Sequence, residues 1–307
     1  MLLTICTPTY NRARMLSRVY ESLCRQDNTN FEWLVVDDGS TDNTADIIKK
    51  FENHERKFEI EYIKKENGGK HTAVNEGVKA AKGDIFLILD SDDFLTDNAV
   101  TIIMEAFSNL PHKKFAGCGF NRLFQDQSLV GKSFKGNYVD ATSLEREKYG
   151  IQGDKAEVFF TEILRRYPFP VFKEEKFLTE AIVWNRIAND GYQIRWINQG
   201  IYLCEYQPDG LSFTSTTDRG FQGYTLFIKE LLSYDSIASK EKIRWAGVYA
   251  YIAHRKRYTY KKIAKLVNTK VLFVLFSEHL YKIVKFKRGK NARKQQLRIE
   301  RNADEKQ

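Results

Sequence analysis

The 307 residues are 42% hydrophobic and 13% aromatic, which supports a buried core and excludes a disordered or collagen-like chain. A formal charge of +9 favours contact with something anionic: a phosphorylated substrate, a nucleic acid or an acidic membrane surface. Four dispersed cysteines, Cys6, Cys24, Cys118 and Cys204, form neither a CxxC pair nor a disulfide framework, which points to reduced thiols in a cytoplasmic protein.

The chain begins MLLTICTPTYNR, an apolar strand over residues 2–6 followed by a turn, without the basic region and cleavage site of a secretory signal. Helical spacing of Met15, Leu16, Val19, Tyr20 and Leu23 predicts a helix over 13–26. Residues 31–36 then read as a strand, 41–51 as a helix and 58–63 as another strand. After Gly68 and Gly69 a helix is predicted from 71 to 81, then a strand over 85–89 that runs straight into DSDD. This alternation builds a parallel sheet covered by helices, and ligands bind at the carboxyl edge of such sheets. The turns TPTYN, DDGSTD and DSDD are expected to share that edge.

Further on, a helix is predicted over 97–108 with Asp97 as its N-cap, and a strand over 116–124. Residues 125–154 show no clean period. Helix, helix and extended chain are expected over 155–166, 180–190 and 193–206. From about Gly220 the chain reads as mostly helical, and no run of about 18 apolar residues suits a bilayer span. Residues 258–286 mix apolar side chains such as Leu272, Leu275 and Ile283 with lysines. Lys282, Lys285, Lys287, Arg288, Lys290, Arg293 and Lys294 follow with no acid between them. This segment reads either as a helix packed on the domain or as a basic helix on an anionic membrane at its inner face. A nucleic-acid stripe is not read from it, since no binding module accompanies the charge.

Asp90, Asp92 and Asp93 repel one another unless a positive partner sits among them, and a hard divalent cation, Mg²⁺ or Mn²⁺, suits such oxygen ligands. Asp37 and Asp38 are placed to accept from a base or ribose, or to form an Asx-turn with Ser40 and Thr41. Lys70 follows two glycines in position to meet phosphate, but GGK lacks the spacing and hydroxyl of a P-loop. The acids form no opposed pair of the kind that hydrolyses glycosides.

TPTYNR, VVDDGSTDNT, NGGKHTAVNEGVKAAKGD and LDSDD resemble the inverting family 2 glycosyltransferases of bacterial envelope and polysaccharide synthesis. The resemblance is strong over residues 2–110 and continues, in GDKAEVF, YPFPVF and EKFLTEAIVW, to about residue 211. It implies a GT-A fold: an α/β, Rossmann-like, mixed and mostly parallel sheet with flanking helices. The nucleotide-binding half would occupy 1–110 and the acceptor-binding half 111–219, with 220–307 a helical basic extension. It also implies a nucleotide-diphosphate sugar donor, a UDP-sugar first, and a glycan or lipid-linked acceptor. Thr7, Pro8 and Tyr10 would shape the nucleoside pocket and Asp38 would hold base or ribose, while Lys70, His71 and Asn75 approach the donor. Asp90 and Asp92 would form the DxD element beside ribose, diphosphate and metal, with Asp93 an adjacent ligand. Glu180 in FLTEAIVW stands where the family places its base, usually within Glu-Asp; here the pair is Thr179-Glu180, and Glu174 or Glu175 is the substitute. A nucleotidyltransferase or a noncatalytic sugar-binding scaffold is the rival reading.

Overall fold

The structure is a computed structural model that describes residues 1–111, 113–204 and 220–304, with side-chain surroundings as far as Lys287. Two compact units divide the chain, Met1–Gly223 and Tyr224–Gln307. In the first, the strands are β1 (Leu3–Thr9), β2 (Phe31–Asp37), β3 (Glu59–Lys64), β4 (Ile85–Ile88), β5 (Phe94–Leu95), β6 (Phe115–Phe124), β7 (Tyr138–Ala141), β8 (Lys155–Phe160) and β9 (Gln193–Cys204). Its helices are α1 (Ala13–Cys24), α2 (Thr44–Glu52), α3 (Lys70–Ala80), α4 (Ala99–Ser108), α5 (Thr161–Arg166) and α6 (Ala181–Asn189).

The strands form one mixed sheet in the order β3-β2-β1-β4-β8-β6-β9-β5, with β7 beside β9. β3, β2, β1 and β4 are all parallel. Every residue of β1, β2 and β4 is buried, as expected for strands covered on both faces. Because these strands run the same way, the turns after β1, β2 and β4 and the loop from β3 into α3 emerge at one edge. Two of the turns are tied together: Asn11, at φ 52°, donates its backbone N–H to Ser40 Oγ at 2.9 Å and accepts from Thr41 N at 2.8 Å.

Residues 155–166 depart from the helix expected of them. Their first half is β8, antiparallel to both β4 and β6, and only Thr161–Arg166 is helical. The reason is tertiary: Ala156, Val158, Phe159 and Phe160 are buried in a slot between two strands, which overrides local helix propensity. Asp97 does not cap α4 either; Asn98 occupies the cap position, and Asp97 instead accepts from Arg25 Nε at 2.9 Å. Residues 125–154 contain β7 and a short 3₁₀ turn, Ser143–Tyr149. β9 ends at Cys204, and the rest of the extended segment expected to 206 lies outside the described residues.

The second unit takes in most of α7 (Phe221–Ser233), then α8 (Ser239–Arg255), α9 (Tyr260–Leu266) and α10 (Val271–Asp304). The helix read over 258–286 is thus two helices, broken where Asn268 adopts φ 51°. Glu278 of α10 is 1% exposed, and it accepts from Tyr260 Oη at 2.6 Å and from Lys282 Nζ at 2.9 Å. His254 Nδ1 of α8 lies 2.9 Å from the same carboxylate, so one buried acid joins three helices. Its partners outweigh burial and hold its pKa below the usual range. Among the described residues no helix is long and apolar enough to cross a membrane.

In β6, a Cβ added at Gly117 would collide with the main-chain carbonyl of Val158 in β8. Gly117→Ala is expected to part these strands and destabilise the first unit by about 2 kcal/mol or more, read as a lowered denaturant midpoint.

Candidate active site

Asp38 is 3% exposed and fully engaged. Its Oδ1 accepts from Lys65 Nζ at 2.7 Å and Gly68 N at 2.9 Å, and its Oδ2 from Gly69 N at 2.7 Å and Asn67 Nδ2 at 3.1 Å. The carboxylate therefore shapes the loop that leads into α3. Asp37 supplies the Asx-turn, accepting from Ser40 N at 2.7 Å, while Tyr62 donates to its other oxygen at 2.5 Å. Gly69 adopts φ 96°, and its Cα packs so closely on the Lys176 backbone that no Cβ fits. By this contact the loop at the sheet edge meets the segment that leads to Glu180.

Lys70, the first residue of α3, joins the two halves of the site. Its Nζ lies 2.5 Å from Asp90 Oδ1 and 2.9 Å from Glu180 Oε1. Burial disfavours its charge, but the two carboxylates prevail and raise its pKa above the ordinary lysine value. Asp90 has a second cation: Arg122 in β6 lies 3.4 Å from its Oδ2 and 3.6 Å from Asp93 Oδ2. Arg122 also lies over the Tyr202 ring at 4.1 Å, and Tyr202 Oη accepts the backbone N–H of Asp90 at 2.8 Å. Burial would raise the Asp90 pKa, but Lys70 and Arg122 hold it below the usual carboxylate range. Burial and then Asp90 act oppositely on its neighbours: Asp92 is raised, and Asp93 is pushed up to about 8.

The remaining expected site residues divide by exposure. Tyr10 is 47% exposed at the edge, whereas Thr7 is buried and accepts from Trp33 Nε1 at 2.9 Å, and Pro8 is buried beside it. Asn75 is committed too, donating to Phe169 O at 2.9 Å and accepting from Phe169 N at 2.8 Å, which locks YPFPVF onto α3. His71 is 3% exposed with neither ring nitrogen hydrogen-bonded, and burial lowers its pKa. Glu175 accepts from Gln222 N at 2.6 Å and Gly223 N at 2.8 Å, so it caps the start of α7. Glu174 is exposed. Arg122 and Tyr202 belong to no motif legible in the sequence; the one signal was a lone arginine in the apolar strand GCGFNRLF.

The acids fit a metal in a limited way. Asp92 and Asp93 are hard oxygen donors whose pKa values are raised by burial first and by the neighbouring Asp90 second. Among the described residues no three His, Cys, Asp or Glu groups stand where they alone could hold an ion. That combination suits an ion shared with phosphate oxygens, the usual way Mg²⁺ is held in nucleotide sites.

A sequence model of glycosyl transferase family 2 matches residues 4–157, half of the chain. The chain belongs to that family and is a glycosyltransferase. The beta-1,3-glucosyltransferase of Campylobacter jejuni named for GalNAc(5)-diNAcBac-PP-undecaprenol is 24% identical over 285 residues, covering 88% of this chain and 89% of that protein. GlyA of Streptococcus pneumoniae is 26% identical over 207 residues, covering 66% of this chain and 28% of GlyA. Among solved structures, S. aureus TarS 1–349 in complex with UDP-GlcNAc gives a TM-score of 0.62 at 22% identity, covering 87% of this chain and 76% of that one. A longer TarS structure is spanned over 43% of its length. The mannosyltransferase PcManGT of Pyrobaculum calidifontis, complexed with GDP-Man and Mn²⁺, gives 0.56 at 16% identity, covering 91% and 86%. These likenesses establish the GT-A fold for the glycosyltransferase.

Two variants test how the site is held. Asp38→Ala removes one acceptor from four donors and is expected to lower stability by about 3 kcal/mol, measured by denaturant titration. Lys155, 2% exposed in β8, has its pKa pushed down to about 8 by burial and Arg146, against an ordinary 10.5. Between these two values the unfolded chain binds more protons than the folded one, so stability should rise with pH across that window. Lys155→Met should abolish the rise and be the more stable protein at pH 7, as urea midpoints across the pH series will register.

Proposed function

We propose that the glycosyltransferase moves a sugar from a nucleotide-diphosphate sugar to an acceptor hydroxyl with inversion at the anomeric carbon. The observation that carries this reading is the bridge from Asp90 through Lys70 to Glu180, which sets a donor-side and an acceptor-side carboxylate against one ammonium. A UDP-sugar is the favoured donor, since the TarS complexes contain UDP and UDP-GlcNAc. A glycan or lipid-linked acceptor at the inner membrane face is favoured by the undecaprenol-linked substrate in the C. jejuni relative's name.

Glu180 stands at the start of α6 with its side chain 38% exposed, open to an incoming hydroxyl. In the proposed step its carboxylate takes the acceptor O–H proton as that oxygen bonds to the anomeric carbon. The bond from that carbon to the diphosphate oxygen breaks in the same displacement, its electron pair leaves with the nucleoside diphosphate, and the centre inverts. Lys70 and Arg122 place positive charge beside Asp90, where the diphosphate charge develops. Asp92, with Asp93 beside it, would hold a Mn²⁺ or Mg²⁺ ion, while Asp90 is engaged by the two cations. When bound, such an ion offsets charge on the departing diphosphate. Tyr10 would border the nucleoside, and His71 would meet a donor group from the first turn of α3.

A panel of nucleotide-sugars and acceptors, read as nucleoside diphosphate release, tests the reaction. Glu180→Gln is expected to keep donor affinity and lose about 10³-fold in kcat; undiminished transfer would exclude it as base. Chelation and Asp92→Ala should each suppress release, with added Mn²⁺ restoring only the chelated wild type. Donor affinity and turnover indifferent to both would remove the metal from the mechanism.

A further inference from the structure

We infer that the outward face of α10 is a membrane-contact surface that rests the enzyme on an anionic bilayer. The inner face of this helix is fixed in the second unit by Val274, Ser277 and Glu278, each 1% exposed. The opposite face carries Leu272 at 78% exposure, Leu275 at 37%, Phe276 at 53%, Ile283 at 39% and Phe286 at 63%. At 3.6 residues per turn these five share a stripe about 100° wide, which His279 also enters. A helix that only packs on its own unit keeps a polar outward face; this one holds Ser277 and Glu278 inside and turns an apolar stripe outward.

Charge selects the occupant. Over residues 271–287 the acid is Glu278 alone, and it lies inside, held by His254, Tyr260 and Lys282. Lys287 flanks the outward stripe on one side and half-exposed Lys282, whose ammonium also pairs with Glu278, on the other, and no acid of residues 271–287 shares its face. A second copy of the chain would bring like charges together along the stripe. A nucleic acid would leave the five apolar side chains in water. Anionic lipid headgroups over acyl chains answer both features, which is the chemistry of a helix lying in the interface plane. The inference rests on the proposed lipid-linked acceptor for its use, since that acceptor sits in such a surface, but the contact itself needs no donor chemistry.

Flotation of the full-length protein with phosphatidylcholine vesicles, with and without phosphatidylglycerol, tests it. The wild type is expected to float with the phosphatidylglycerol vesicles, and Leu272→Glu/Phe276→Glu to lose at least about tenfold in partitioning. Val171→Glu, which alters an exposed apolar residue of the first unit, should bind as the wild type does. Circular dichroism confirms that the double variant folds, and its release of nucleoside diphosphate from a soluble donor in solution should equal that of the wild type. Vesicle binding with no transfer from any donor would leave this inference standing and count against the proposed reaction alone. Wild type that stays unbound, or a double variant that floats equally well, overturns the inference. So does light scattering that shows a dimer dispersed by the double variant while vesicles stay bare, or binding of an RNA probe without binding of vesicles.

Discussion

The ammonium of Lys70 is the contact on which the arrangement of the site depends. It is one residue past Gly69, on the first turn of α3, and it meets Asp90 from the end of a central strand and Glu180 from the start of α6. Those acids come from sequence positions far apart and would repel if brought together alone. A partly buried carboxylate left without its cation is costly, so the bridge constrains both loops at once. The amino end of α3 adds its own positive potential at the same place.

Around that bridge the protein spends its other acids on geometry. Asp38 uses both oxygens to fold the loop of Lys65, Asn67, Gly68 and Gly69, and Gly69 then packs on Lys176, four residues before Glu180. Asn75 fastens Phe169 to the next turn of the same helix. The position of Glu180 thus follows from a backbone contact and two sets of buried hydrogen bonds, none of which touches it. Asp92 differs from Asp93 in being only partly buried, and from Asp90 in having its pKa raised and not lowered. The three adjacent aspartates are consequently inequivalent: one neutralised by protein cations, one held near Arg122 and Tyr202, and one left facing the edge.

The second unit solves a different problem with the same device. Glu278 is buried, and its partners on three helices make that tolerable. With that acid turned inward, the outward side of α10 is left apolar and basic, a composition that an ordinary surface helix does not keep.

By itself the sequence determined the alternating strands and helices of residues 1–110, because continuous apolar runs and 3.6-residue spacing are local properties. It also determined that TPTYN, DDGSTD and DSDD lie at one sheet edge, since parallel strands leave no other arrangement. Only the tertiary structure decided that residues 155–160 are a strand, because the slot between β4 and β6 outweighs what KAEVFF prefers alone. It likewise decided what each polar side chain does. Asp38, Asn75 and Glu175 sit in or beside the motifs and hydrogen-bond loop and helix-end groups of the fold, while Arg122 and Tyr202, in no motif, reach Asp90. Spacing along a chain fixes which groups are near in order, but ion pairs and hydrogen bonds act over a few ångströms, and those distances exist only once the sheet has closed.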